Sequence, residues 1–289
     1  MKNIKIPDLD SKELFENIVA NKKSKKHKDN LENVKKYIFK RYDEYDDNKE
    51  CLERVNLSNI TNSEEKEALL SCYSRKKNSY FEGSVVKKIL EIQSSQHKNK
   101  CPYCLIDKPR TIDHYLPKDN YPEFAVFPIN LIPCCSSCNG KKGELWIENG
   151  ERVFINYYFD KIPDVKFLRA VVSYDKSDIK YTTLIKFHII EDSSINAKTY
   201  NIIQKHFTRL DLIKEYEEIV EEEISNIYDE VKSSTDIPVE SFYDSIRRRI
   251  RTNTNKYGKN YWKVVLHEAI LESNFINDVY EVTLSDAII

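Results

Sequence analysis

Two Cys-x-x-Cys pairs, Cys101/Cys104 and Cys135/Cys138, are the residues whose type and spacing speak most directly of chemistry. Thiolates three positions apart can close on one ion from a single turn. Two such pairs supply the four sulfurs of a tetrahedral zinc site. Every ligand position is then a cysteine, which leaves no place for water, so the zinc they predict is structural. Thirty residues separate the pairs. That stretch holds an Asp-His dipeptide, Asp113-His114, and Asn130, while Asn139 follows Cys138 directly. A carboxylate and an amide oxygen suit Mg2+ or Mn2+, hard ions that prefer oxygen ligands and keep several waters. A neutral imidazole, with a reference pKa of about 6.5, is a fit general base at neutral pH. On a strand, adjacent side chains face opposite ways, so one of the pair could hold a cation while the other addresses a water. An Asp-His pair alone is weak ground for catalysis, and a purely structural zinc module is the plainer reading of the spacing.

The elements that must position these residues change character along the chain. Residues 1–98 read as a helical region. Leu31, Val34, Ile38, Tyr42 and Tyr45 recur at helical spacing. Thr61-x-x-Glu64 looks like a capping box, and Val86, Ile89, Leu90 and Gln93 predict a further helix ending near Ser94-Ser95. The basic run over residues 22–28 reads as a solvated linker or a nonspecific phosphate contact. Residues 99–150 hold six of the nine prolines and three of the five glycines, which excludes a long helix. They predict a loop-rich module with short strands near residues 111–115 and 130–133, then a turn or short helix carrying Cys138 and Asn139. So small a module has little core, and a metal staple is what it needs. Residues 151–289 read as a small antiparallel β segment, from apolar stretches at 153–159, 167–174 and 181–190, followed by a C-terminal helical region. The expected class is α+β, mostly helical around the central module.

The totals bound the rest. The 289 residues include 12 Phe and 19 Tyr, enough apolar mass for a core, and a net charge of −1 argues neither for nor against nucleic acid. No apolar run is long enough to cross a bilayer, and the first 25 residues lack the apolar stretch of a secretory signal. A cytoplasmic location is expected, with metal binding rather than disulfides as the use of the paired cysteines. Cys51, Cys72 and Cys134 read as buried hydrophobes. Ile213, Tyr216, Val220, Ile224, Ile227 and Val231 form a helical stripe whose opposite face (Glu215, Glu217, Glu218, Glu221, Glu222, Glu223) meets solvent or a basic partner. Over residues 241–263, seven cations stand against Asp244 alone. That segment, with Arg247, Arg248 and Arg249, is a solvated helix face or a grip on backbone phosphate. Tyr257, Tyr261 and Trp262 beside it are core residues or stacking platforms.

Taken in order, Cys101-Pro-Tyr-Cys104, Thr111-Ile-Asp113-His114-Tyr-Leu-Pro117-Lys118, Asn130-Leu-Ile-Pro133 and Cys135-Ser-Ser-Cys138-Asn139-Gly-Lys-Lys142-Gly143 resemble an HNH endonuclease. The likeness covers roughly residues 99–145. It implies a ββα-metal fold with Asp113 and Asn139 on the catalytic metal, His114 deprotonating the attacking water and Asn130 holding the loop that orients it. Lys142 is then a phosphate contact. Asp stands for the first His of the name-giving pattern and Asn for the last, as in the HNH domain of CRISPR effector nucleases, which implies Mg2+ or Mn2+ rather than a second zinc. The whole chain looks like the HNH nuclease subunits of Septu-type antiphage defence systems. That likeness implies DNA as substrate and an ATPase of the ABC or SMC-like type as partner. A restriction endonuclease, an RNA-cleaving HNH toxin and a zinc-stapled DNA-binding or scaffold protein without nuclease activity are the competing readings.

Overall fold

Side chains that accept backbone N–H groups set where the helices begin. Asp10 accepts from the amides of Lys12 and Glu13 and opens α1 (Ser11–Ala20). Ser24 accepts from His27 and opens α2 (Lys25–Asp47). The basic run at 22–28 is therefore not a linker: from Lys25 onward it is the first turn of α2. Lys22 donates to Ser71 and Lys26 pairs with Glu64. Asn62, not Thr61, caps α3 (Ser63–Leu70), because its carboxamide oxygen reaches the Glu64 amide. A π-helical turn, Glu82–Val86, runs into α4 (Lys87–Glu91), and Ser94 caps α5 (Ser95–Asn99). The stripe on α2 is buried as its spacing requires, with Leu31, Val34, Ile38, Tyr42 and Tyr45 all in the core.

The structure is a computed structural model that describes residues 1–77, 79–234 and 236–286. It is α+β and mostly helical, with small antiparallel sheets, and divides into two compact units. The first unit, residues 3–161, contains α1 to α5 and then β1 (Thr111–His114), β2 (Leu131–Cys134), α6 (Ser136–Lys142), β3 (Ile147–Glu148) and β4 (Glu151–Arg152). β1 and β2 pair antiparallel, with Asp113 opposite Ile132 and His114 opposite Leu131. The stretch 153–159, expected as a strand, is irregular. Residues 153–158 are buried without alternation, so no face is left to solvent. Their backbone groups are satisfied one at a time: Val153 N–H donates to Trp146, the Tyr115 hydroxyl donates to the Phe154 carbonyl, and Ile4 N–H donates to Tyr157.

The second unit comprises residues 1–2 and the chain from residue 162 onward. It holds a hairpin, β5 (Leu168–Ser173) and β6 (Leu184–Ile189), with α7 (Ile179–Thr182) between its strands. Helices α8 (Ala197–Arg209), α9 (Leu212–Lys232), α10 (Val239–Tyr257), α11 (Trp262–Glu272) and α12 (Phe275–Asp286) follow. The buried stripe of α9 starts at Leu212 rather than Ile213 and continues through Tyr216, Val220, Ile224, Ile227 and Val231. Its acidic face is not simply solvated. Glu217 accepts from Lys186 and from the Phe187 amide on β6, Glu230 pairs with Arg249 at 2.6 Å, and Glu223 accepts from Lys263 and lies 2.9 Å from His267 Nε2. Much of the basic partner expected for α9 is thus the basic segment of the same chain. Among the described residues no helix is long and apolar enough to cross a membrane.

The contact with His267, seconded by Lys263, holds the Glu223 carboxyl down at about 2 against the opposing effect of burial. A carboxylate depressed in the folded state stabilises the fold above its ordinary value of 4.5 and loses that contribution as pH falls toward 2. We expect Glu223→Gln to lower the melting temperature at neutral pH and to flatten its decline between those two pH values. Thermal denaturation across pH reads this directly, and identical acid slopes for both proteins would show that the cluster contributes nothing.

Candidate functional site

The four paired cysteines converge although the pairs lie on different elements. Cys101 and Cys104 sit on the turn before β1. Leu105 there takes a left-handed backbone, φ 58°, uncommon for a bulky side chain. The reversal lets Leu105 N–H donate to the Cys101 carbonyl at 2.8 Å and Ile106 N–H to Cys104 Sγ at 3.4 Å. Cys135 caps α6, its sulfur accepting from the Cys138 amide at 3.4 Å. All four sulfurs are buried and lie within 4.8 Å of one another, with Cys104 and Cys135 at 3.8 Å. Zinc–thiolate bonds of about 2.3 Å in a tetrahedron put sulfurs about 3.8 Å apart, so the donor set fits zinc. Hydrogen bonds from Cys101, Cys104 and Cys138 hold the Cys135 thiol far below its ordinary range, while burial pushes Cys101 up. Such a cluster cannot ionise fully without a cation. Cys134 stays outside it, bonded to Thr111, with burial pushing its thiol up.

β1 turns Asp113 and His114 to opposite sides. Asp113 is 2% exposed and both its oxygens are engaged: Oδ1 accepts from Lys142 Nζ at 3.0 Å and Oδ2 from the Tyr103 hydroxyl at 2.7 Å. Burial holds the Tyr103 phenol well above its ordinary value, so it remains a donor. Lys142 also donates to the His114 carbonyl at 2.9 Å and lies 5.9 Å from the rings of Tyr115 and Phe154. The expected phosphate contact at Lys142 therefore does not stand, because its ammonium is fully buried. α6 packs on β1, and Lys142 is on the face toward the strand while Lys141 is exposed. Asn139, half-buried, sits one turn before Lys142 on α6.

His114 Nε2 lies 2.9 Å from the Ala125 carbonyl. That contact assigns the proton to Nε2 and leaves the lone pair on Nδ1. Burial pushes the imidazole down to about 4, with the carbonyl bond acting in the opposite sense. The ring of Tyr73 meets it edge-on, with centroids 4.5 Å apart. Asn130 ties the loop that carries Ala125. Its Oδ1 accepts from Leu116 N–H at 2.8 Å, and its Nδ2 donates to Leu116 at 3.0 Å and to Phe124 at 3.3 Å.

Sequence reasoning missed the helix behind this loop. On α2, the Tyr45 hydroxyl lies 3.3 Å from the Ile129 carbonyl and 3.4 Å from Asn130 Oδ1. Arg41 pairs through Nε with fully buried Glu123 at 2.7 Å and through Nη1 with Glu44 at 2.5 Å. A signal was present: Arg41 falls on the apolar stripe between Ile38 and Tyr45, and a charge at a core position implies a buried partner. Tyr73 and Tyr103 carried no comparable signal.

In the second unit, Arg247 pairs with Glu240 at 2.7 Å and Asp244 at 3.0 Å, and Arg249 with Glu230. Arg248 is exposed and, with Asp244, Arg247 and Arg251, lines a surface cavity of about 240 Å³. Tyr261 and Trp262 are core residues, and Tyr257 packs on Tyr261 at 4.6 Å.

No family model and no solved structure matches the chain. Parts of two curated proteins do. Over 64 residues the chain is 47% identical to protein ea31 of Escherichia phage lambda, covering 22% of each chain. Over 50 residues it is 48% identical to Septu protein PtuB of Bacillus thuringiensis, covering 16% of this chain and 20% of the relative. The chain thus spans about a fifth of the length of each relative it matches.

Metal analysis of the purified protein should find about one zinc per chain, and Cys135→Ser should lose it together with cooperative unfolding of the first unit. Retention of zinc by that variant would remove the clasp. A urea titration tests the clamp on α2. Arg41→Met should cost about 3–5 kcal/mol by leaving Glu123 buried and unpaired, and Arg41→Met/Glu123→Gln should recover much of that loss.

Proposed function

We propose that this chain is a metal-dependent HNH endonuclease that hydrolyses DNA phosphodiester bonds, in bacterial antiphage defence or restriction. The observation that carries the reading is the imidazole of His114: fixed on β1 by the Ala125 carbonyl, with no bond at Nδ1 among the described residues, next in sequence to a buried carboxylate and on the hairpin flanked by the four cysteines. A structural zinc module has no need of an oriented histidine. The similarity of one segment to Septu protein PtuB supports the defence setting.

In this reading His114 Nδ1 takes a proton from the water that attacks the phosphorus in line. Asn130 and Ala125 keep the ring from rotating away. Asp113 and Asn139 would hold the divalent cation: one carboxylate and one amide oxygen are a donor set for Mg2+ or Mn2+. Lys142 and Tyr103 orient the carboxylate from behind, as outer-shell partners of metal ligands do. Each carboxylate oxygen keeps a further lone pair beyond the bond it already accepts. When bound, the cation supplies charge stabilisation at the phosphate and the leaving 3′ oxygen. Arg248, and with it Arg247 and Arg249, would add contacts to backbone phosphate. An ABC or SMC-like ATPase would be the partner, in the cytoplasm, where thiols stay reduced.

One observation favours a second reading, a zinc-stapled DNA-binding or scaffold protein: both Asp113 oxygens already have protein partners. Plasmid incubated with the protein and Mg2+ or Mn2+, with and without EDTA, separates the two. We expect EDTA-sensitive cleavage that His114→Ala reduces by at least about 10²–10⁴-fold while zinc content is unchanged. Cleavage by His114→Ala at the wild-type rate would end the assignment. Metal-dependent digestion of RNA but not DNA would move it to an RNA nuclease.

A further inference from the structure

We propose that residues 73–77 grip the phosphodiester backbone of a nucleic acid beside the bond that His114 attacks; this rests on the nuclease reading above. The segment begins at the site itself, since Tyr73 packs edge-on against the His114 ring with centroids 4.5 Å apart. It continues through Arg75, Lys76 and Lys77, all exposed. The turn is pinned at its base. Arg75 Nε pairs with Glu82 at 2.7 Å at the start of the π-helical turn, the Ser79 hydroxyl donates to the Ser74 carbonyl at 2.6 Å, and Ser79 N–H donates to the Lys76 carbonyl at 2.8 Å. π-helical turns recur at functional sites. Here Glu82–Val86 anchors a loop whose tip presents Lys76 and Lys77, neither ion-paired among the described residues.

The two lysines whose charges act on the imidazole, Lys118 and Lys142, are already engaged. Lys142 is buried on Asp113, and Lys118 pairs with Asp119 at 3.1 Å. Lys76 and Lys77, exposed and without an ion pair among the described residues, are charges open to an anion. Along the chain they stand no more than about 11 and 14 Å from Tyr73. A nucleic-acid strand presents about four phosphates over that span, at roughly 3.4 Å of axial rise each. Flexible ammonium groups suit such a backbone, because they act as point charges that read no sequence.

The test uses full-length protein carrying His114→Ala, so that binding is read apart from cleavage. Anisotropy of a labelled DNA duplex and a labelled RNA duplex is measured across a salt series. Adding Lys76→Ala/Lys77→Ala should reduce the slope of log affinity against log salt by about 2 and weaken binding roughly 60-fold at about 0.1 M salt. Lys36→Ala/Lys40→Ala, which removes the same charge from the exposed face of α2, should not. An unchanged slope, an equal loss in the control pair, or no binding by the parent protein to either duplex overturns the proposal. The expected loss on RNA alone upholds the grip and assigns the backbone to RNA. Loop-dependent binding by wild-type protein that cuts neither duplex with Mg2+ or Mn2+ upholds the grip and removes the nuclease reading instead.

Discussion

A hairpin of two four-residue strands does not hold itself together in water, and both Asp113 and His114 sit on such a hairpin. Closure of four sulfurs around its base is the constraint on which the rest depends. Cys101 and Cys104 fix the entry to β1, and Cys135 and Cys138 fix the exit from β2 into α6. With both ends anchored, Asp113 and His114 have a defined strand on which to alternate. The clasp leaves the far side of the hairpin unsecured, and there Lys142 ties α6 to Asp113 and to the His114 carbonyl. A fully buried ammonium is tolerated because carboxylate, carbonyl and two aromatic rings surround it.

The imidazole depends on a second layer of support. His114 is oriented by a carbonyl on a loop, that loop is sewn by Asn130, and Asn130 is backed by Tyr45 on α2. The Arg41–Glu123 pair fastens the same loop from the same helix. Residues 80 or more positions apart in sequence thus fix one ring nitrogen. Rigid support of this kind is what a general base requires, since a displacement of an ångström is costly to catalysis.

Much of the module was legible because its signals are local. Cys-x-x-Cys spacing, the strand pair and the turn-helix carrying Asn139 depend on neighbours a few residues away, and the α2 stripe declares its own face. The failures were of two kinds. The stretch 153–158 is apolar and buried throughout, so it lacks the period that separates a strand from an irregular core segment. Lys142 and Arg41 were misjudged or missed because their partners lie 29 and 82 positions away. Spacing within α6 shows that Lys142 follows Asn139 by one turn; it cannot show that Asp113 waits on that side. The acidic and basic runs of the second unit were each read alone, and their mutual pairing is a long-range fact of the same sort.

The dependence of the loop on α2 bears on how this cysteine-clasped segment could be reused. A cassette cut at residues 99 and 150 would carry its four-cysteine clasp intact and look portable. It would also bring Glu123 without its guanidinium and Asn130 without the phenol behind it. Grafted onto a foreign scaffold, such a piece would keep its four sulfurs and lose its aim. Helix α2 and the hairpin therefore act as one mechanical part, and His114 keeps its aim only while both are present.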